Sequence, residues 1–268
     1  PRTGWIIGRA GVLGHLAHFE ILPNWLKQFL VIINFLIAGR SAKKDAGQAL
    51  CDALQALGPG FIKFGQALST RADLIGPELA NGLSQLQDSL PALSGQIARR
   101  HIEKTTGEPV SNLFSRFEDD AVAAASIAQV HKAVLHDGHV VAVKLLRPRI
   151  YQKMQADIQF FRALAVSAET LAPGLKRLKL VTAVDQFARL SEFELDLRME
   201  AAAGGRLAEN LAEDEGIRVP HIYIEHTTTD MLIVEWIEGH RIDQRDALEA
   251  AGHDISEITN KAAASFFN

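Results

Sequence analysis

Residues 123–146 read AAASIAQVHKAVLHDGHVVAVKLL, and this stretch decides the fold. It contains two β-rich runs, 130–135 and 140–146, which are separated by His-Asp-Gly-His. Asp-Gly between apolar runs favours a tight hairpin, so we predict an antiparallel pair of strands. Helical patterns flank this pair, and a second hairpin is predicted from 222–224 and 231–237. The order helices, hairpin, helices, hairpin, helices predicts an α+β fold rather than alternating βαβ units.

The composition of the 268-residue chain is that of an ordinary globular protein. Apolar residues make up 47% and charged residues 22%, and the formal net charge is −4. These values exclude a disordered chain, a collagen-like fibre and a strongly basic nucleic-acid-binding protein. The single cysteine, Cys51, excludes intrachain disulfides and Cys-rich zinc sites, and it indicates a reducing compartment.

The first part of the chain is predicted to be helical. Its most apolar stretch, Trp25 to Ala38, has 14 residues, whereas a spanning helix needs about 20. We predict a buried or interfacial helix there, with docking to a membrane surface through Trp25 and flanking lysines as the alternative. The sequence starts at Pro1 and stops at Asn268 inside a predicted helix, so we expect a fragment of a longer protein.

Lys144 ends the apolar run Val141-Ala142-Val143-Lys144. An ammonium group on a buried strand is costly unless it is paired, so this lysine needs a partner. Protein kinases carry the similar strand motif V-A-I-K, whose lysine contacts the α- and β-phosphates of ATP. Because this motif is weak by itself, a lysine with no functional role is the alternative.

The residues before the hairpin can be aligned with the kinase glycine-rich loop, G-x-G-x-x-G-x-V. The three glycine positions then fall on Ala123, Ala125 and Ala128, and the valine falls on Val130, 14 residues before Lys144. Small residues suit a loop whose backbone amides approach phosphates closely, although alanine does not favour positive φ. Alanine also favours helices, so the start of a helix is the alternative.

A long helix is predicted over 181–211, and it carries several charged residues. Asp196 and Glu200 are spaced to share a face, and so are Glu194 and Arg198. In kinases a glutamate on the helix that follows the lysine strand pairs with that lysine. A solvated acidic face is the alternative.

The last predicted strand, which begins at Met231, runs into Glu235-Trp236-Ile237 and then Gly239. In a kinase this position is the hinge, where backbone groups meet adenine. A plain buried strand is the alternative here.

The residues before the hairpin region also carry a specific motif. Lys63 and Gln66 lie on one face of a predicted amphipathic helix. Within FIKFGQALSTRADLIGPELANGLSQLQDSLP, residues 61–91, Lys-Phe-Gly-Gln resembles the K-x-G-Q signature of the UbiB family of atypical protein-kinase-like proteins. AAASIAQVHKA resembles that family's alanine-rich replacement for the glycine loop. Glu194-Leu195-Asp196 matches its E-x-D motif, and Glu200 falls at its αC glutamate. The resemblance runs from about residue 40 to the end, with the motifs in family order.

The resemblance implies a protein-kinase-like small lobe, made of an antiparallel sheet and an αC-type helix. It also implies an N-terminal helical K-x-G-Q extension and the start of a helical large lobe. The expected boundaries are 1–112, 113–238 and 239–268.

The resemblance also assigns roles to residues. The expected catalytic residues are Lys144, which would hold phosphates, and Glu200, which would orient it. Besides Lys144, the residues expected to contact ATP or ADP are Ala123, Ala124, Ala125, Ser126, Ile127, Ala128, Gln129, Val130, Glu235, Trp236 and Ile237. The expected regulatory residues are Lys63, Gln66, Glu194 and Asp196. Lys63 is expected to pair with Glu194 or Asp196.

The chain contains no H-x-D-x-x-x-x-N and no D-F-G, so no Mg²⁺ ligands are expected within it. Family members place these motifs just after a helix that ends like residues 264–268, so the chain is expected to stop before its catalytic loop. The fragment alone is therefore expected to be inactive.

The resemblance implies that the full-length protein is an ATP-dependent, kinase-like phosphotransferase or ATPase of ubiquinone (coenzyme Q) biosynthesis. The expected partners are a nucleotide, a lipid or quinone precursor, a membrane surface and quinone-biosynthesis proteins, but no nucleic acid. The expected location is the bacterial cytoplasm, with the protein peripheral to or anchored in the inner membrane, or alternatively the mitochondrial inner membrane. A non-catalytic pseudokinase scaffold is the alternative function.

Overall fold

The structure is a computed structural model that describes residues 46–84, 86, 90–213, 216–242 and 244–267. Its helices and strands are, in chain order, α1 (Ala46–Leu57), α2 (Pro59–Ser69), α3 (Ala72–Ile75), α4 (Pro77–Ser84), α5 (Gly95–Thr106), α6 (Val110–Leu113), β1 (Phe114–Ala124), β2 (Ala128–Leu135), β3 (Val140–Leu146), α7 (Ile150–Leu171), α8 (Leu180–Glu194), α9 (Leu197–Asn210), β4 (Met231–Glu235), α10 (Arg245–Ala250) and α11 (Ile255–Phe267). Short 3₁₀ helices cover Pro173–Leu178 and Ile224–His226.

The described residues form two compact units. The first contains α1 to α4, residues 125–127, and the segment 148–192 with α7 and most of α8. The second contains α5, α6, the four strands, and α9 to α11. The predicted boundaries at 112 and 238 stay a prediction.

The first unit is helical, and aromatic packing holds α2 against α7. Gly58, with φ 114°, separates α1 from α2, and Pro59 starts α2 with the φ angle that a first helical turn needs. The Phe64 ring stacks on Phe161 with centroids 4.2 Å apart, and the Phe61 ring meets Phe161 edge-on at 4.8 Å. These contacts fix the apolar side of the helix that carries the K-x-G-Q motif.

A carboxylate of α7 contacts the first turn of α2. The Asp157 side chain accepts a hydrogen bond from the Gly60 backbone N–H, and burial raises the pKa of this carboxyl to about 6. A Cβ on residue 60 would overlap the Asp157 side chain, so only glycine lets the two helices approach this closely.

The second unit is built on a four-stranded antiparallel sheet with the strand order β1-β2-β3-β4. The predicted β2–β3 hairpin is confirmed, with Val134 paired to Val140 and Gly138 at φ 92° in the turn. Alternate residues of the strands pack into a core with α5 and α6; this core contains Ala98, Ile102, Val110, Phe114, Phe117, Ala133, Leu135, Val141, Val143, Leu145, Tyr223, Met231 and Ile233. Ala142 and Lys144 alternate with this core and lie on the opposite face of the sheet. The predicted α+β architecture is confirmed.

The alanine-rich stretch does not start a helix, because Ala123 and Ala124 end β1 and residues 125–127 form a turn. Strand β1 itself is not evident from the sequence. Its register with β2 shifts between Phe117 and Ala121 and again before Ala123, so its buried positions do not alternate.

The second predicted hairpin is confirmed only in part. Residues 231–235 form β4, and Ile222 makes an isolated antiparallel bridge with Val234. The predicted strand 222–224 is wrong, because the chain forms a 3₁₀ turn over Ile224–His226. The Tyr223 carbonyl accepts hydrogen bonds from the His226 N–H and the Thr227 hydroxyl, which favours a turn over a strand.

The long helix predicted over 181–211 is in fact two helices, α8 and α9. Asp196 has an extended backbone and is the N-cap of α9, where its carboxylate accepts a hydrogen bond from the Arg198 N–H. A capping aspartate satisfies the amides of the next helix better than it continues the previous one. Leu195 and Leu197, on either side of it, are buried.

Among the helices in the described part of the chain, none is long and apolar enough to cross a membrane. The stretch from Trp25 to Ala38, for which surface docking is the alternative prediction, lies outside the described residues.

Candidate functional site

The centre of the candidate site is an ion pair between β3 and α9. Lys144 Nζ lies 2.8 Å from Glu200 Oε1 and 2.7 Å from Glu200 Oε2. The two side chains are 32% and 50% exposed, and ion pairs at such exposure contribute only about 0.2–1 kcal/mol to stability. An ammonium group has three N–H donors, so Lys144 can bind both carboxylate oxygens and still donate to an anionic ligand.

The sheet and the start of α9 position this ion pair. Lys144 pairs with Val130 on β2 and with Leu232 on β4, in the centre of the sheet. The Leu197 N–H donates to the Thr229 carbonyl at 3.0 Å, and this bond joins the first turn of α9 to the residues just before β4. Glu200 follows in that first turn and therefore lies within reach of β3.

The interactions of Asp196 and Arg198 differ from the predicted helical spacing. Arg198 pairs with Asp196, with Nη2–Oδ2 at 2.6 Å and Nε–Oδ1 at 2.9 Å. This hydrogen bonding holds the pKa of Asp196 below its usual value. The predicted placement of these charged residues on one continuous helix is wrong, because one helix ends at Glu194 and Asp196 caps the next.

The alanine-rich turn, residues 125–127, links β1 to β2. Strand β2 in turn pairs with β3, which carries Lys144. Ala124 is opposite Gln129 and Ala123 is opposite Val130, so the predicted loop residues are the ends of a tight connection. Ser126 and Ile127 of this turn are buried. Ala128 follows as the first residue of β2.

The predicted hinge residues Glu235 and Trp236 have separate roles in the sheet. The Glu235 carboxylate accepts hydrogen bonds from Arg218 Nη1 at 2.6 Å and from the His221 N–H at 3.1 Å, and the Arg218 bond lowers the pKa of Glu235. The backbone N–H of Trp236 donates to the Val140 carbonyl at 3.1 Å. Trp236 therefore continues the pairing of β3 with β4 beyond the end of the strand. Ile237 follows and is exposed.

Sequence reasoning missed the position of Lys132. Its Nζ lies 4.5 Å from the centroid of a Trp236 ring and 3.9 Å from Glu238 Oε1. Lys132 is opposite Ala142, next to Lys144, so the same region of the sheet carries a second cation. Side chains alternate between the two faces of a strand, so Lys132 is expected on the same face as Val130, its neighbour two residues earlier, and therefore on the face of Lys144. Its contact with Trp236 depends on strand pairing and could not be predicted.

The K-x-G-Q residues lie on α2 in the first unit. Gly65 is buried, and a Cβ there would lie 2.5 Å from Leu86 Cδ1 and 2.6 Å from Leu54 Cδ1. A side chain at this position would therefore require the Leu54 and Leu86 side chains to move. Lys63 and Gln66 are half-buried on the same helix. The predicted pairing of Lys63 with Glu194 or Asp196 stays a prediction.

The described residues contain no group of three or more His, Cys, Asp or Glu side chains that could hold a metal ion.

Comparisons with known proteins identify relatives of this chain. The model of the ABC1 atypical kinase-like domain matches residues 85–268. A protein of Tolumonas auensis named "Probable protein kinase UbiB" is 37% identical over 234 residues, which are 87% of this chain and 43% of the relative. The chain thus spans less than half the length of that relative. A solved structure, the complex of Rv3197 with erythromycin from Mycobacterium tuberculosis, is 32% identical with a TM-score of 0.48, and the match covers 71% of this chain and 48% of that one.

Proposed function

The chain belongs to the UbiB family of ABC1 atypical kinase-like proteins, and we propose that it binds an adenine nucleotide, ATP or ADP, on the sheet face that carries Lys144. The observation that carries the proposal is the bidentate ion pair between Lys144 on β3 and Glu200 on α9. In protein kinases the corresponding lysine and glutamate must be paired for phosphoryl transfer. Here Lys144 and Glu200 are paired.

The residues around Lys144 fit a nucleotide in size and polarity. Val130, Ala142 and Val234 are half-buried on the strands next to it and offer small apolar contacts to a flat base. Ala123, Ala124 and Ala125 have short side chains, so ligand phosphates could approach their backbone closely. Lys144 would supply the positive charge for the phosphates, and Glu200 would hold the ammonium group in place.

We propose that residues 235–237, at the position of the kinase hinge, contact the adenine base. The N–H groups of Glu235 and Trp236 donate to the His221 and Val140 carbonyls. Because these two N–H groups are already used, we assign hydrogen bonding to the adenine base to the backbone N–H of Ile237. We assign the apolar contact with the base to the Trp236 side chain.

For the whole protein we propose ATP-dependent, kinase-like chemistry, as ATPase or phosphotransferase, in ubiquinone biosynthesis. This proposal rests on the family and on the name of the bacterial relative. A lipid or quinone-precursor substrate, contact with the inner membrane, and regulation through Lys63, Gln66, Glu194 and Asp196 belong to the same proposal.

The test is the affinity of the 268-residue chain for ADP, measured by isothermal titration calorimetry. We expect Lys144→Ala to weaken binding by about 10- to 100-fold, because a charge-assisted hydrogen bond contributes about 1.5–3 kcal/mol. The control is Lys261→Ala on α11. This substitution removes a comparable exposed ion pair, in which Lys261 Nζ lies 2.9 Å from Glu257 Oε1. The control should bind like the unaltered chain. Unchanged affinity of Lys144→Ala, or no binding by the unaltered chain at millimolar ADP, would refute the proposal.

A further inference from the structure

A series of hydrogen bonds that involves two buried side chains lies at the start of β2, next to the alanine-rich turn. Gln129 and His131 are on the same face of β2 and are 2% and 0% exposed. Gln129 Oε1 accepts from the Leu93 N–H at 2.8 Å, and Gln129 Nε2 lies 2.7 Å from His131 Nε2. His131 Nδ1 lies 2.8 Å from the Glu118 carbonyl oxygen. We call these four residues the buried polar network.

The two ends of the buried polar network set the direction of every hydrogen bond in it. The Glu118 carbonyl can only accept, so His131 Nδ1 carries the proton. The Leu93 N–H can only donate, so the Gln129 amide oxygen faces Leu93 and its NH₂ group faces His131. His131 Nε2 is then the acceptor, and the ring is the neutral Nδ1–H tautomer. Burial also lowers the pKa of His131, which agrees with a neutral ring.

Irregular pairing in β1 frees the Glu118 carbonyl for this role. The β1–β2 register shifts between Phe117 and Ala121, and the Phe117 ring stacks on the His131 ring at 4.9 Å. From α5, Arg99 donates to the Phe117 carbonyl at 2.9 Å and to Asp119 Oδ1 at 2.6 Å. Side chains from α5 and β2 thus contact the Phe117 and Glu118 carbonyls and the Asp119 carboxylate.

Gln129 is also opposite Ala124, the last residue of β1, so it closes the alanine-rich turn. Ala123, Ala124 and Ala125 have no side-chain polar groups, and Ser126 is the one residue of the turn that has such a group. We infer that Gln129 and His131 are positioning residues that hold this turn in the conformation that receives the nucleotide phosphates. This inference rests on the proposed nucleotide binding, and it changes the role of Gln129 from a side chain in contact with the ligand to one that acts through the backbone.

The network predicts different behaviour for two substitutions of Gln129. Gln129→Met keeps the length of the side chain but can neither donate to His131 nor accept from Leu93, so we expect ADP affinity to fall about tenfold. Gln129→Glu still accepts from Leu93, and it accepts from His131 if that ring becomes doubly protonated. Asp119 and Asp120 favour this protonation and Arg99 opposes it. We therefore expect Gln129→Glu to bind ADP within about threefold of the unaltered chain.

The experiment combines ¹⁵N NMR of histidine-labelled protein with ADP titrations, and His131→Gln identifies the His131 signals among the ten histidines. We expect the Nδ1–H tautomer in the unaltered chain, an imidazolium in Gln129→Glu, and no change in Gln152→Met, an exposed control on α7. An Nε2–H tautomer or an imidazolium in the unaltered chain overturns the network, even if Gln129→Met does not fold. Full ADP affinity in a folded Gln129→Met variant overturns the positioning role while nucleotide binding stands. No ADP binding by any variant, including the unaltered chain, overturns the proposed function and the positioning role with it, and the tautomer still decides the network.

Discussion

Replacing Asp157 with asparagine tests how α7 holds the first turn of α2. The pKa of Asp157 rises from 3.8 to about 6 on folding because the carboxyl is buried, even though Lys153 and the Gly60 N–H favour its charged form. Such a rise means that the folded protein binds this proton more tightly than the unfolded chain does. The associated stability is fully present below about pH 4 and is lost as the pH rises through about 6. The difference of 2.2 pH units corresponds to about 3 kcal/mol, which partial solvent exposure of the side chain reduces.

Asparagine keeps the oxygen that accepts from the Gly60 N–H and carries no charge. We therefore expect Asp157→Asn to raise the free energy of unfolding by about 1 to 3 kcal/mol at about pH 8 and to change it little at about pH 4. Urea unfolding followed by circular dichroism across this range measures the difference. The control is Asp185→Asn, which removes an exposed carboxylate 3.0 Å from Arg162 and should lack this pH dependence. A variant less stable than the unaltered chain at about pH 8 would show that the ionised Asp157 stabilises the contact, contrary to this reasoning.

Two further predictions concern packing and helix capping. Gly65→Ala should destabilise the first unit by about 1–3 kcal/mol, because the new methyl group meets the buried Leu54 and Leu86 side chains. Faster amide hydrogen exchange in α2 would report this loss of stability, and unchanged exchange would contradict the tight packing. Asp196→Ala should lower the free energy of unfolding, measured with urea, by about 1 kcal/mol through loss of the α9 N-cap, whereas Asp196→Asn should keep most of that stability. Equal losses in both variants would indicate that the carboxylate charge matters more than the cap.

The sequence was most informative where local patterns and strand pairing agree. Asp137-Gly138 between two apolar runs was enough to predict the β2–β3 hairpin. The order of Lys144 and Glu200 along the chain, read with the family resemblance, predicted an ion pair that the structure contains.

The predictions failed where interactions between distant residues override local patterns. Bulges remove the alternation that would have revealed β1. The leucines at 195 and 197 look compatible with one continuous helix, but Asp196 caps a new one. The role of Gln129 depends on Leu93, 36 residues earlier, and no spacing rule relates these two positions.

Strand β1 has a further consequence for the behaviour of the protein in solution. In the four-stranded sheet of the described residues it lies at an edge, and it is 11 residues long. A long, regular edge strand offers unpaired amides and carbonyls to other chains and promotes aggregation. Here the register shifts interrupt that regularity, and the exposed Asp120 adds a negative charge beside the bulge. The irregular backbone that provides a carbonyl for His131 therefore also protects this edge from sheet extension by a second molecule.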